Sequence, residues 1–504
     1  MKYYCEAAFV MSREIDGGVL KEIFTSEDIR KFLKKGAPEG ALGTEIKKTE
    51  IKGREIRLFL ESDRYVRASS ALLRLRGHIE KNYGQKLRAG IKELRIEKLI
   101  IEGIELEKEP KEEMKISFFA EKIEIKGKMA NITFRNITPE LLENNIDGRM
   151  IELVQEKALM QHYVGKEETK QIKWKSKEKK MMYGKDPSLE LEKTNWIRRT
   201  SGKGQFVYAK NFTSLANALK GIMKDFLYDP LGFEEMLFPK FEPWHVPKKS
   251  GHCKNIYPVA YFVMVPKNSD PKNWEEEMDY FKLTGEVYNE GIMKKVQPFG
   301  IMSYAQCPPF WQYLEGKTIS MESLPIKVFD WSGPTYRNES GGTHGIERIE
   351  EFHRSETLFV GTDEQVGELV CAIEEKLTHI FEKIMDLEIR TFEVAPWWLV
   401  QEGSVKIEEK FKGAKTVDFE AYLPYRGERE KGEWLEIQNV SNNGKKYPAN
   451  FSVKAQKGDL WSGCAGGSLE RWICAFLSQK GFDETNWPVE VKKRFNKSEE
   501  VKFL

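Results

Sequence analysis

The chain has 504 residues, 40% of them apolar and 32% charged, with a formal net charge of +2. One hydrophobic core does not serve that length, so two or three domains are expected, and the balanced charge excludes a uniformly cationic nucleic-acid binder. The longest apolar runs, such as residues 256–265, are too short to cross a bilayer, and the opening MKYYCEAAFVMSREIDGG lacks the features of a secretory signal, which predicts a cytoplasmic location.

In chain order, residues 1–165 alternate strand-like runs with amphipathic helices. KYYCEAAFV (2–10) and EIRLFLES (55–62) read as half-buried strands, and LRIEKLIIEGIEL (94–106), MKISFFAEKIEIKG (114–127) and ANITFRNIT (130–138) extend the pattern. Helices fit over 26–35, with Ser26 as the cap before Glu27 and Asp28, over 69–83, and over 139–162 with a break at Gly148. The segment is predicted to be an α+β domain whose helices cover an antiparallel sheet.

Residues 166–185 hold eight lysines and three glutamates with few aliphatic side chains, so 166–192 reads as a linker. A solvated charge run and an RNA contact both fit it. Residues 193–504 are richer in tryptophan, glycine and proline; helices fit over 215–227 and 364–385, and strands over YPVAYFVMV (257–265) and WLEIQNV (434–440). The six cysteines, Cys5, Cys253, Cys307, Cys371, Cys464 and Cys474, are too scattered for a disulfide framework and read as reduced thiols or metal ligands.

Chemistry concentrates in TYRNESGGTHGIERIEEFHRSE (335–356). Two arginines flank a Gly-Gly-Thr-His-Gly turn, which predicts a hairpin presenting guanidinium and carboxylate groups on one face. A guanidinium fork meets phosphate oxygens in a bidentate way and keeps its charge, so such a hairpin can hold a polyphosphate. An ordinary charge-paired surface hairpin fits the same residues.

Arg337, Asn338 and Glu339, followed by a loop and then Arg348, Ile349 and Phe352, resemble motif 2 of the class II aminoacyl-tRNA synthetases. The resemblance implies that Arg337 grips the α-phosphate and the amino acid carboxylate, Glu339 reads the adenine amino group, Arg348 meets the γ-phosphate and Phe352 stacks under adenine. Asn338 and Ile349 would join them in binding ATP. GFEEMLFPKFEP (232–243) resembles motif 1, with Pro239 at a homodimer interface, and GCAGGSLERW (463–472) resembles motif 3, with Arg471 on the other adenine face. The three occur in the order the family requires.

EIQNVSNNGKKYP (436–448) is similar to a segment of seryl-tRNA synthetases in which a glutamate holds magnesium on ATP. Glu436 would take that role, and Asn439 would face the serine. Asn439 replaces a serine of the ordinary bacterial form, and the departure fits the methanogenic archaeal type, in which a zinc ion bound by Cys, Glu and Cys forms the amino acid pocket. The matching residues are Cys307, Glu356 and Cys464; read without the resemblance they are equally two structural thiols and a surface glutamate. The family further implies a backbone contact from Ala305 and a helix-turn-helix insertion over about 395–411 that sets Trp397 and Gln401 over the substrate, although Trp397 also suits a core position. The fold class implied is a sheet-plus-helices tRNA-binding domain (1–165) before a class II catalytic domain (193–504) built on an antiparallel sheet flanked by helices. The implied partners are ATP, L-serine, tRNA(Ser), tRNA(Sec) and a second copy of the chain.

Overall fold

A computed structural model describes residues 1–162, 170–339, 341–394 and 416–502. The chain forms two compact units, Met1–Val164 and Gly165–Leu504.

The first unit is built on six antiparallel strands: β1 (Lys2–Met11), β2 (Thr44–Lys52), β3 (Glu55–Asp63), β4 (Ile91–Glu105), β5 (Ala120–Lys126) and β6 (Met129–Phe134), in the spatial order β2-β3-β1-β4-β6-β5. Period-two patterning places Tyr3, Cys5, Ala7, Phe9 and Met11 of β1 in the core with Ile56, Leu58 and Leu60 of β3. Helix α1 (Gly17–Thr25) is followed by α2 (Glu27–Lys34), whose start is set by the Ser26 hydroxyl accepting from the Ile29 amide at 3.3 Å. Helix α3 (Ala68–Leu87) buries Ala71, Leu72, Leu75 and Ile79.

Two boundaries differ from the sequence reading. The strand expected over 114–127 begins only at Ala120, because Phe119 takes a left-handed φ of 62° that breaks the ladder. The helix expected over 139–162 is split into α4 (Pro139–Glu143) and α5 (Ile146–Met160) at Asn145, with φ 59°, and not at Gly148. Gly148 lies inside α5, where a Cβ would fall 2.6 Å from both the Arg67 guanidinium and the Asn145 amide.

The second unit centres on a nine-stranded sheet. Its strands are β7 (Gln171–Lys175), β8 (Glu234–Glu235), β9 (Ile326–Asp330), β10 (Pro334–Tyr336), β11 (Glu351–Gly361), β12 (Ile389–Val394), β13 (Thr416–Tyr422), β14 (Trp434–Gly444) and β15 (Trp461–Ser468), in the order β8-β9-β11-β15-β14-β13-β12-β7 with β10 paired to β11. All pairings are antiparallel except the parallel contact of β8 with β9. Helices α6 (Lys210–Met223), α7 (Cys307–Leu314), α8 (Asp363–His379) and α9 (Leu469–Lys480) belong to this unit. Side chains of α6, α8 and α9 form one core with Phe359, Phe419, Val440 and Ala465 from one face of the sheet. Leu358 and Val360, on the opposite face of β11, pack instead with Cys307, Phe310 and Trp311 of α7 and with Tyr447.

The lysine-rich stretch read as a linker contributes edge strand β7, paired with β12. Trp174 packs against the core while Lys173 pairs with Glu374 at 2.6 Å, so Lys173 and Lys175 are the solvent side of a strand, and Lys170 and Lys179 are paired with Glu420 and Asp386. The helices read as 215–227 and 364–385 begin earlier and pass into π-turns, Lys224–Tyr228, which runs on into Asp229–Leu231, and Ile380–Ile384, and Thr362 starts α8 with a reciprocal cap to Gln365. The strand expected over 257–265 is Phe262–Pro266, in a separate three-stranded sheet with Phe241–Pro243 and Val296–Met302. Among the described residues no helix is long and apolar enough to cross a membrane.

Candidate active site

The expected hairpin exists. β10 pairs with β11 in the register Thr335 to Phe352, and the Arg337 amide donates to the Glu350 carbonyl at 2.8 Å. The connecting turn closes through a bridge between His344 and Arg348. Its tip is fixed by Gly345, at φ 47°, where any Cβ would sit 2.1 Å from the Ser188 hydroxyl that accepts from the Ile346 amide.

Glu339, 12% exposed, lies between Arg337 and Arg348, whose Nε atoms stand 3.5 and 3.3 Å from its two oxygens. Both guanidiniums are about half exposed, and that of Arg337 lies 5.6 Å from the Tyr304 ring. These are loose ion pairs, so most of their donors are available to an oxyanion. Asn338 is tied down by its backbone amide to Val259 and by its side-chain amide to Pro258, while Ile349 is buried.

Arg471 joins three elements. Its amide donates to the Ser468 hydroxyl that caps α9, its Nε to the Glu347 carbonyl at 3.0 Å and its Nη1 to the Glu436 carbonyl at 2.9 Å. The Glu347 side chain pins the turn through ion pairs with Arg426 and His344 and accepts from the Tyr425 hydroxyl at 2.5 Å. One residue beyond Phe352, His353 Nδ1 pairs with buried Glu470 at 2.7 Å. Burial pulls the His353 pKa down, but the hydrogen bond and charge of Glu470 outweigh it and the net shift is upward.

Three neighbouring strands then line up their chemistry. Glu356 on β11 is opposite Gly466 on β15, which is opposite Asn439 on β14, and Cys464 is two residues along on the same face as Gly466. Glu356 is 1% exposed; Oε2 is ion-paired with Arg354, and Oε1 is buried with no hydrogen-bond partner among the described residues. Cys307, the first residue of α7, packs in the cluster with Ala305 and Cys464. Burial, with the Glu356 carboxylate adding to it, pushes the Cys464 thiol up to about 12 and Cys307 well above the usual thiol range. Burial likewise drops the nearby Lys446 ammonium to about 7. The three expected ligands share one buried neighbourhood, although among the described residues no three His, Cys, Asp or Glu side chains are grouped closely enough to hold a metal ion.

Trp397, Gln401 and the whole 395–411 insertion lie outside the described residues. Residues that the sequence reading passed over are Arg354 and Asn443, whose amide donates to the Cys464 sulfur at 3.3 Å. Arg354 was visible in principle, since it is two residues from Glu356 and so shares its face of a strand.

Residues 1–156 match a tRNA-binding domain, and residues 301–480 match the tRNA synthetase class II core domain (G, H, P, S and T). A type-2 serine–tRNA ligase of Methanococcoides burtonii is 44% identical over 98% of this chain and 97% of its own. The type-2 serine–tRNA ligase of Methanothrix thermoacetophila is 41% identical over 100% of each. Among solved structures, that of M. kandleri SerRS in complex with A. aeolicus tRNASec superposes with a TM-score of 0.84 at 25% identity, covering 98% of this chain and 96% of the other. The fold expected from the sequence, a tRNA-binding domain before a class II synthetase core, is therefore the fold observed.

Proposed function

The chain belongs to the type-2 serine–tRNA ligases, a family of class II aminoacyl-tRNA synthetases, and we propose that it activates L-serine with ATP and transfers the seryl group to tRNA(Ser). The relative solved with tRNASec supports tRNA(Sec) as a second acceptor. The observation that carries the reading is Glu339 bracketed by Arg337 and Arg348, with Arg471 tied to the backbone of the same hairpin.

In the first step the serine carboxylate, already an anion, attacks the α-phosphate in line and pyrophosphate leaves, so no general base is required. Arg337 orients the carboxylate and the α-phosphate, while Arg348 and Arg471 take up charge on the γ-phosphate. Glu339 accepts from the adenine amino group, which Phe352 and Arg471 sandwich; Asn338 and Ile349 shape the nucleotide pocket. In the second step the terminal ribose hydroxyl of the tRNA attacks the carbonyl of seryl-adenylate, and AMP leaves.

Cys307, Glu356 and Cys464 would hold one zinc ion. Two thiolates and a carboxylate are a donor set that leaves a fourth tetrahedral position open, and the partnerless, buried Oε1 of Glu356 suits a ligand atom. When bound, the ion supplies a Lewis-acidic seat for the free amino group of serine. Ala305, Asn439, Trp397 and Gln401 would enclose the hydroxymethyl group, rejecting larger side chains by clash. Glu436, whose carbonyl already accepts from Arg471, would hold magnesium on the ATP phosphates, where the ion neutralises charge.

A homodimer through motif 1 fits the exposure of Leu237 (73%) and Phe241 (53%) on either side of Pro239, and the cytoplasm is the compartment where tRNA is charged. The reading is tested by ATP–pyrophosphate exchange with each amino acid in turn: exchange is expected with serine alone, and exchange driven by threonine or by no amino acid would overturn it.

A further inference from the structure

We propose that Arg354 is a positioning residue that holds one carboxylate oxygen of Glu356 so that the other faces the thiols of Cys307 and Cys464, and that position 466 is glycine to make room for it. The proposal rests on the zinc reading above.

An ordinary buried ion pair satisfies as many lone pairs as it can, because an unpartnered buried oxygen costs free energy. Glu356 does not follow that pattern. Arg354 Nε engages Oε2, the Gln306 backbone also acts on this carboxylate, and among the described residues Oε1 stays buried with no partner at hydrogen-bond distance. The remainder of the guanidinium lies across the neighbouring strand at Gly466. An ideal Cβ there would be 2.2 Å from Nη2 and 2.8 Å from Cζ of Arg354. Gly466 is not among the glycines with positive φ, so backbone conformation does not require glycine at this position, whereas space for the guanidinium does.

The same glycine donates its amide to Asn439 Oδ1 at 3.3 Å. Arg354, Glu356 and Asn439 therefore meet at one strand position, and the guanidinium acts electrostatically on both sulfurs. A planar, fixed fork suits this task, since it engages a carboxylate edge while lying flat on bare backbone; a lysine supplies the charge without the plane. A carboxylate fixed at one oxygen by such a partner presents the other in a single direction, which is how an outer residue orients a metal ligand.

The test compares wild type with Arg354→Ala, Arg354→Lys, Gly466→Ala and Cys464→Ala. Each protein is assayed for zinc per chain, zinc affinity by chelator competition, the absorption spectrum of the cobalt-substituted form and ATP binding. Arg354→Ala is expected to weaken zinc by about 10–100-fold. Its cobalt spectrum should keep the thiolate charge-transfer bands but shift the ligand-field bands as the carboxylate reorients. Gly466→Ala should reproduce both effects by displacing the guanidinium, and Arg354→Lys should restore part of the affinity. ATP binding by these variants reports that they are folded; should Arg354→Ala fail to fold, Arg354→Lys and Gly466→Ala carry the same comparison. Wild-type zinc affinity and an unchanged ligand-field spectrum in Gly466→Ala and either Arg354 variant would overturn the proposal while leaving the zinc reading intact. No zinc on wild type, or full zinc on Cys464→Ala, would overturn the zinc reading and this proposal with it.

Discussion

Arg337 carries the heaviest demand of any single residue, because in the proposed reaction it would hold both the serine carboxylate and the α-phosphate oxygens. Among the described residues its ion pair is a loose one to Glu339, so little is reorganised when substrates arrive. Arg337→Ala should cost about 3 kcal/mol of transition-state stabilisation, roughly a hundredfold in serine-dependent exchange. An effect of only a few-fold would remove Arg337 from that role.

His353 offers a test independent of substrates. It faces Glu470, with Lys220, Glu351 and Tyr208 as its other neighbours, and its folded pKa lies above the ordinary 6.5. A raised histidine pKa stabilises fully below the unfolded value and loses that contribution as pH rises through the folded value. Thermal stability of wild type relative to His353→Gln should therefore be greatest near pH 6 and shrink toward pH 9. A gap that widens with pH would contradict the charged pair. Buried Glu470 also accepts from the His353 backbone amide, a bond that His353→Gln keeps, so the gap reports the side-chain pair.

At the scale of elements, local signals in the sequence were legible and long-range ones were not. Ser26 before two acids marks a helix start that depends on no distant residue, and it is found in place. The break in 139–162 was assigned to the glycine, yet Gly148 answers to Arg67, some eighty residues earlier. β7 escaped notice because its lysines face water and its partner strand lies over two hundred residues on. The motif residues are named through a family resemblance, whereas Arg354 acquires meaning only once Gly466 is known to lie beside it.

A similar long-range contact secures α6. Ala209, at its cap position, has no side chain to offer, and the Glu500 carboxylate instead accepts from the Asn211 amide at 2.6 Å while Ser498 and Asn211 exchange two further bonds. Glu500→Ala should behave like loss of a helix cap, costing about 1 kcal/mol. Calorimetry should show a fall of roughly 2 °C in the melting of the second unit; an unchanged Tm would mean the segment only rests on the helix.

At the scale of the whole molecule, the two units divide the labour proposed for them. The residues proposed for ATP, serine and zinc, from Ala305 to Arg471, all belong to the second unit. A protein starting at residue 165 should keep serine-dependent exchange and lose transfer to tRNA by orders of magnitude, since contacts to the tRNA backbone would be gone. A start at 193 should fare worse. It deletes β7 with the Lys173–Glu374 and Lys179–Asp386 pairs and bares an edge of the sheet, so exchange itself should fall. Equal exchange from both truncations would mean that β7 contributes nothing to the core.

The central claim is that serine ends on tRNA. Exchange reports activation of serine and not the acceptor that receives it, so exchange alone does not establish transfer to tRNA. The most direct measurement is attachment of labelled serine to a tRNA(Ser) transcript by the full-length protein with ATP and magnesium. Charging that requires ATP, is confined to serine and weakens steeply as salt rises is the predicted result. Robust serine-dependent exchange with no seryl-tRNA formed would contradict the account.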